Sequence, residues 1–332
     1  MQVGFFFWPY TLDLCERLAE RADRYGYAMI GIADTPGNAM DPWVSAAVVA
    51  RASQRARVAL CVTNLLTRHP AVSAGAIASL DHISNGRAVL GIGAGHSGTR
   101  NVGLRKSGAN ELADGVTFIR TLLTGQPAQL NDSTATAHLP WIKRAPPVFL
   151  AASHPRPLQA AGRTADGAFA NFGLAADNIR ASEAEIVAGA KAAGRAPGEV
   201  EIWQIAALDC HEDRDVARGK VGAMLAFLAG YVIGEKNLEA RGVPEPLREP
   251  LLELRRRYST RPGEADIKLV QELGLFDYLS RRLSICGNPR DCLEQALAAK
   301  AAGAKRLMLT VSLASDPVRT VELFGEHVLP KL

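Results

Sequence analysis

In VLGIGAGHSGTRNVGL, which runs from Val89 to Leu104, five glycines and a set of hydrogen-bonding side chains close an apolar stretch. Aliphatic residues give way to bare backbone at Gly93 and Gly95, then to His96, Ser97, Thr99, Arg100 and Asn101. That change suits a strand opening onto a polar or anionic ligand. A second candidate anion loop is Ser153-His154-Pro155-Arg156, followed by Ala161 to Gly167. Amides near Gly162, the Thr164 hydroxyl and the Arg163 guanidinium could hold a phosphate there, with ordinary turn chemistry at Asp166-Gly167 as the alternative. Asp34 stands alone after apolar and small residues. It is placed to orient a ring, bind substrate or transfer a proton, or else to cap the loop that follows. His96, directly after a glycine, is a poor core histidine and reads as a contact to phosphate or substrate, and as the second choice for proton work.

Other chemistries find little support. The histidines show no HxH or HExxH spacing, so no metal site is expected. Ser97 and Ser153 lie outside any GxSxG, and adjacent Cys210 and His211 would point to opposite faces of a strand. No acid pair is placed for glycoside work. Two anion loops beside large aromatics, Phe7 and Trp8, suit a planar phosphorylated cofactor and redox chemistry. Phe5 and Phe7 are equally readable as core; Trp8, held out of a regular strand by Pro9, is expected to face the pocket.

These residues fall at the ends of strands in a regular march. Strands are expected at Val3–Phe7, Ala28–Ala33, Val58–Thr63, Ala88–Ile92, Val148–Ala152, Gly167–Asn171, Val200–Leu208 and Arg306–Val311. Helices are expected between them, among them Leu12–Tyr25, Pro42–Ala52 with Asp41 as cap, Pro70–Ile83, Asn110–Leu123 and a short Pro157–Ala161. Later helices are expected at Ile179–Ala193, Asp213–Arg257, Val270–Leu283 and Pro289–Ala302. Eight strands without clear hairpins predict a (β/α)8 barrel, one domain over 1–332 with a helical insertion over 213–284. A doubly wound sheet would carry its cofactor glycines after the first strand, which ends instead in Phe-Trp-Pro. The strand ends then offer Phe7 and Trp8, Asp34, Thr63 and Asn64, the glycine loop, Ser153 and His154, Asn171, and Asp209 to His211. In the insertion, Phe227, Leu228, Tyr231 and Val232 form an apolar patch, with Gly230 and Gly234 relaxing the helix, as either a lid or a subunit contact.

The 332 residues, 48% hydrophobic and 22% charged, suffice for one large core or two modest ones. No run of about 18 apolar residues free of charge is present, so no membrane span is expected. The first residues lack a basic stretch ahead of an apolar core, which argues against a secretion signal. Five scattered cysteines without CxxC fit reduced, buried thiols in a cytoplasmic protein. Arg255 to Arg257 and Arg281-Arg282 lack interleaved aromatics, so nucleic acid is not an expected partner.

Taken in order, several blocks carry a likeness: VGFFF at 3–7, TNLLTRHP at 63–70, ASLDHISNGRAVLGIGAGHSGTRNVGL at 78–104, PPVFLAASHPRPLQAAGRTADGAF at 146–169 and GNPRDCLEQALAAKAAGAKRLMLT at 287–310. The chain resembles the bacterial luciferase-like flavin and deazaflavin superfamily, and within it the coenzyme F420-dependent methylenetetrahydromethanopterin reductase type. The resemblance implies a TIM barrel, a homodimer or higher oligomer, and a ring held against a strand-three bulge near Cys61 to Asn64 that can contain a non-prolyl cis peptide. It implies Asp34 as the acid near the ring; Asp34 and the pocket-facing Trp8 are the residues expected at the substrate. Thr63 and Asn64 become ring-edge contacts, and Gly95, His96 and Ser97 the cofactor's side chain or phosphate contacts. Ser153, Gly162, Arg163 and Thr164 become the remaining phosphate-side positions. His96 stands where the reductase type commonly has an acid, and Thr35 where it commonly has histidine, which detaches the pterin substrate from the likeness. The implied activity is hydride transfer with F420, or oxygenation by reduced FMN supplied by a partner reductase. A non-redox or non-catalytic barrel is the remaining alternative.

Overall fold

The computed structural model describes residues 1–130, 133–232, 238–239 and 242–332, excepting the side chains of Pro197 and Tyr231. From the amino end come β1 (Gln2–Phe7), α1 (Leu12–Tyr25), β2 (Met29–Ile32), α2 (Pro42–Ala52), β3 (Arg57–Asn64), α3 (Pro70–Ile83) and β4 (Ala88–Gly93). Then follow α4 (Ser97–Arg100), α5 (Ala109–Leu123), the small hairpin β5 (Ala128–Gln129) and β6 (Thr136–Ala137), β7 (Val148–Ala152), α6 (Pro155–Thr164), β8 (Gly167–Ala170) and α7 (Ala176–Ala192). The remainder is β9 (Glu201–Cys210), α8 (Arg214–Val232), α9 (Glu245–Arg257), α10 (Glu264–Glu272), α11 (Phe276–Leu283), β10 (Ser284–Gly287), α12 (Pro289–Ala301), β11 (Arg306–Thr310) and α13 (Pro317–His327).

The sheet order is β10-β9-β11-β1-β2-β3-β4-β7-β8, and β9 also pairs with β8. This closes a parallel eight-stranded (β/α)8 barrel, as the strand-helix alternation predicts. Strand β10 is an addition the sequence pattern does not announce: four residues, SICG, pair with the last four of β9.

Contacts group the chain into two compact units, one of residues 6–170 and 182–203, the other of residues 1–5, 171–181 and 204–332. The first holds β2, β3, β4, β7 and β8 in parallel register. Its helices begin where local chemistry directs. The Asp41 carboxylate accepts from the Trp43 and Val44 amides ahead of Pro42, and Thr11 caps α1, which Gly26 ends at φ 79°.

In the second unit the expected long helix over 213–257 is two helices, α8 and α9, and the expected helix over 270–283 is likewise divided at Gly274, whose φ is +64°. The apolar patch expected as a lid or contact surface faces this unit's own core: Leu228 and Val232 are buried, Leu228 within a cluster with Leu251, Leu254, Tyr258 and Leu279. Gly230 lies under Tyr258, whose ring a Cβ there would meet at 2.5 Å. Gly234 and the Tyr231 side chain lie outside the described residues. Arg256 and Arg257 are ion-paired with Glu249, Glu253 and Glu272, a solvated helix face.

All five cysteines are buried and free. No helix among the described residues is long and apolar enough to cross a membrane, and no group of three or more His, Cys, Asp or Glu among them could hold a metal ion.

Candidate active site at the strand ends

Within the first unit, three loops converge just beyond β2, β3 and β4. Strand β3 carries one extra residue relative to β4: Leu60 pairs with Leu90, but Thr63 pairs with Ile92. The expected bulge is therefore present, and it contains a cis peptide between Cys61 and Val62. The bulge sets the Val62 side chain against Gly91 and Gly93, where a Cβ would stand 2.8 Å from its methyls. Gly93, expected to touch a cofactor, makes room for Val62. Half-buried Val62 leaves an apolar surface at the strand end.

Beyond the bulge, the Thr63 hydroxyl donates to Asp34 Oδ2 at 2.6 Å. Asn64 turns its oxygen onto its own loop, accepting from the Leu66 and Thr67 amides, both at 2.9 Å. That use as an Asx turn leaves its amide group for any ring-edge contact. The glycine loop folds down over these residues as α4, a four-residue helix that the strand-helix pattern does not show. Thr35 donates to Ser97 Oγ at 2.5 Å, and the Asn101 amide reaches the Pro36 carbonyl at 3.0 Å and Asn38 at 3.1 Å. Gly98 is so close to the end of β2 that a Cβ there would meet the Asp34 carbonyl oxygen at 2.8 Å. Gly95 turns the loop at φ +83°, and half-buried His96 heads α4 without capping it through its side chain. Thr35 and Asn101 are thus site-building residues to which the sequence assigns no such bonds. Their signal was position alone, one beside Asp34 and the other inside the quoted motif.

Burial holds the Asp34 carboxyl above its usual proton affinity. The Thr63 bond opposes this, nearby Asp41 adds to it, and Arg68 opposes it. Phe7 and Trp8 are buried at the end of β1, where the Phe7 carbonyl accepts from the Ala33 amide at 3.0 Å.

Ser153, 2% exposed, directly follows β7, with His154 between it and α6. Gly162, Arg163 and Thr164 are not brought together with it. The expected short helix and phosphate loop are one helix through Thr164, and at 1.5 Å per residue Gly162 to Thr164 lie roughly 10–14 Å along it from Pro155. At that far end the Thr164 hydroxyl bonds back to the Ala160 carbonyl, and Arg195 binds the Gly162 and Ala165 carbonyls at 2.8 and 2.9 Å. Gly162 packs on α7: a Cβ would lie 2.0 Å from the Ile186 carbonyl oxygen. These three residues join the start of β8 instead of the strand ends where a barrel does its chemistry. In the second unit, Asp209 is committed to the start of α13, accepting from the Ser315 amide at 2.8 Å and its hydroxyl at 2.7 Å.

The residues at the strand ends suit a planar ring with an anionic tail. Val62 and Trp8 are apolar, Asp34 and the Asn64 amide are polar edge groups, and fully buried Thr99 carries a hydroxyl without a hydrogen-bond partner among the described residues.

The profile of the luciferase-like monooxygenase family matches residues 10–306. The chain belongs to that family. It is 26% identical to the 5,10-methylenetetrahydromethanopterin reductase of Methanolobus tindarius over 94% of each chain. It is 30% identical to the F420-dependent hydroxymycolic acid dehydrogenase of Mycobacterium tuberculosis over 60% of this chain and 57% of that protein. Among solved structures, the coenzyme F420-dependent tetrahydromethanopterin reductase of Methanopyrus kandleri superposes with a TM-score of 0.82 over 99% of each chain, at 23% identity. The FMN complex of the oxygenating constituent of 3,6-diketocamphane monooxygenase from Pseudomonas putida gives 0.67 over 100% of this chain and 98% of that one, at 21% identity. The structural likenesses establish the shared barrel.

Proposed function

We propose that this family member is an F420-dependent oxidoreductase, moving a hydride between C5 of the deazaflavin and a small or medium organic substrate. Its family makes it an oxidoreductase; the choice of cofactor rests first on the full-length similarity to methylenetetrahydromethanopterin reductases. The first turn of α6, beside Ser153, adds to this. Of residues 155 to 157 only Arg156 has a backbone N–H, because Pro155 and Pro157 carry none. A phosphate monoester, as in FMN, carries roughly −1.5 to −2 charges near neutral pH and calls for several donors. The phosphodiester of F420 carries one, and a single amide with the Arg156 side chain suits it better.

When bound, F420 would supply the hydride donor or acceptor. The chain's own work is then positional. Val62 and Trp8 would flank the ring and keep water from it, and the Asn64 amide would meet its edge. Ser153 and Arg156 would hold the anionic tail, with His96, Ser97 and the Gly95 turn lining its path. The Asp34 carboxyl would give or take the proton that accompanies hydride transfer at the substrate. The family's monooxygenase branch supports a second reading, in which the same pocket holds FMN reduced by a separate reductase and uses oxygen. A homodimer is part of the proposal. Val44 on α2 and Val72 and Ile83 on α3 are exposed apolar side chains that a partner subunit would cover.

Equilibrium titration of the purified chain with F420 and with FMN, each in oxidised and reduced form, tests the choice. Preferred binding of F420 supports the first reading and preferred binding of reduced FMN the second. A protein that binds neither refutes both.

A further inference from the structure

Thr63 resembles an edge contact for a planar ring, yet its hydroxyl is already spent. It donates to Asp34 Oδ2 at 2.6 Å, from a residue 1% exposed. The extra residue in β3 puts it there: a strand alternates its faces, so inserting one residue between Leu60 and Thr63 reverses the face every later side chain takes. The backbone on the other side is equally fixed. Gly98 of α4 lies against the Asp34 carbonyl so closely that no Cβ fits between them, and Thr35, the next residue, is tied to Ser97. Asp34 is thus held by its main chain from one side and by one carboxylate oxygen from the other. Among the described residues, Oδ1 has no hydrogen-bond donor.

We propose that Thr63 is a positioning residue for Asp34, fixing the carboxyl so that Oδ1 faces the reaction and setting the pH at which it gives up its proton. The proposal rests on the reading of Asp34 as the group that handles the substrate's proton. A donated hydrogen bond favours the carboxylate over the acid, against the burial that favours the acid. The charged groups acting on Asp34 are Asp41, which favours the acid, and Arg68, which favours the carboxylate. These two bind each other at 2.9 Å, so their opposed influences largely cancel. Thr63 is the contribution left that a single side chain controls.

The Asp34 carboxyl is titrated in the cofactor-free protein by carbon-13 NMR of labelled aspartate, with Asp34→Asn identifying its signal. Thr63→Val is expected to raise the midpoint by about one pH unit, a tenfold gain in proton affinity. Thr63→Ser, which keeps the donor, is expected to leave the midpoint within a few tenths of a unit of the unsubstituted protein. The pH profile of F420-dependent turnover should shift in the same order. Thr63→Ala lacks the same donor and replaces Thr63→Val if the valine variant does not fold. A midpoint unmoved by valine or alanine, or moved as far by serine, overturns the proposal. If the midpoints behave as expected but no form of the protein binds F420, the positioning role stands and the cofactor reading falls.

Discussion

Gly162→Ala separates a packing glycine from a ligand-binding one. The residue lies in the last turn of α6, where a Cβ would sit 2.0 Å from the Ile186 carbonyl oxygen and 2.7 Å from the Ala190 amide nitrogen. The crossing is reciprocal, since a Cβ on Gly189 of α7 would sit 2.0 Å from the Gln159 carbonyl oxygen. A carbon and a carbonyl oxygen rest at about 3.3 Å or more, so the helices would have to part by roughly 1.3 Å. A gap of about 0.5–1 Å already forfeits a quarter to a half of each dispersion contact, and overpacking typically costs about 1–3 kcal/mol. Alanine returns about 1 kcal/mol of helix propensity. Because the obstructing atoms are backbone, the loss should fall at the upper end of its range, for a net destabilisation of about 2 kcal/mol. With an unfolding entropy of about 2.1 cal/mol/K per residue over 332 residues, that corresponds to a fall in Tm of roughly 3 °C. Thermal melts followed by circular dichroism measure it, with F420 and FMN titrations on the folded variant. The expected outcome is a lower Tm with affinity within about twofold of the unsubstituted protein. An unchanged Tm with a tenfold or larger loss of affinity would refute the packing argument and restore Gly162 to a phosphate cradle.

Burial raises the Asp209 carboxyl from 3.8 to about 6 against the opposing bonds of Ser315 and Thr320. The folded state therefore holds this proton more tightly than the unfolded chain. Its stabilising contribution is full below about pH 4 and is lost as pH rises through about 6, amounting to up to ~3 kcal/mol. The stability of the unsubstituted protein minus that of Asp209→Asn, from urea midpoints, should fall by that order between about pH 4 and pH 7; a flat difference removes the argument. Thr35→Val and Ser97→Ala should each cost about 1–2 kcal/mol, and their double-mutant cycle should show coupling of about 1 kcal/mol. Zero coupling means that the 2.5 Å contact does not hold the glycine loop to β2.

Several features of the molecule are local and therefore legible in the chain. Asp41 before Pro42 starts α2 because one carboxylate satisfies two amides that the helix leaves open. Buried apolar runs alternating with amphipathic ones specify parallel strands and crossover helices, and hence the barrel. Asp34 and the glycine motif announce themselves because a lone carboxylate and bare backbone are unusual at the ends of apolar strands. Other features depend on which surfaces meet. Gly93 and Gly162 have the composition of ligand-binding glycines, but one makes space for Val62 and the other for a helix crossing. The SICG segment gains its strand by pairing with the long end of β9, and four residues carry too little periodicity to show it. Thr63 shows the division most plainly. Its place at the end of an apolar run is fixed by sequence, but its face is set by the one-residue bulge, and its partner by the neighbouring strand that the closed sheet lays beside it. Sequence by itself determined the barrel and the residue types at its strand ends. Tertiary structure decided which of those residues touch, because side-chain contacts across strands depend on register and packing distance, and neither is written in local propensity.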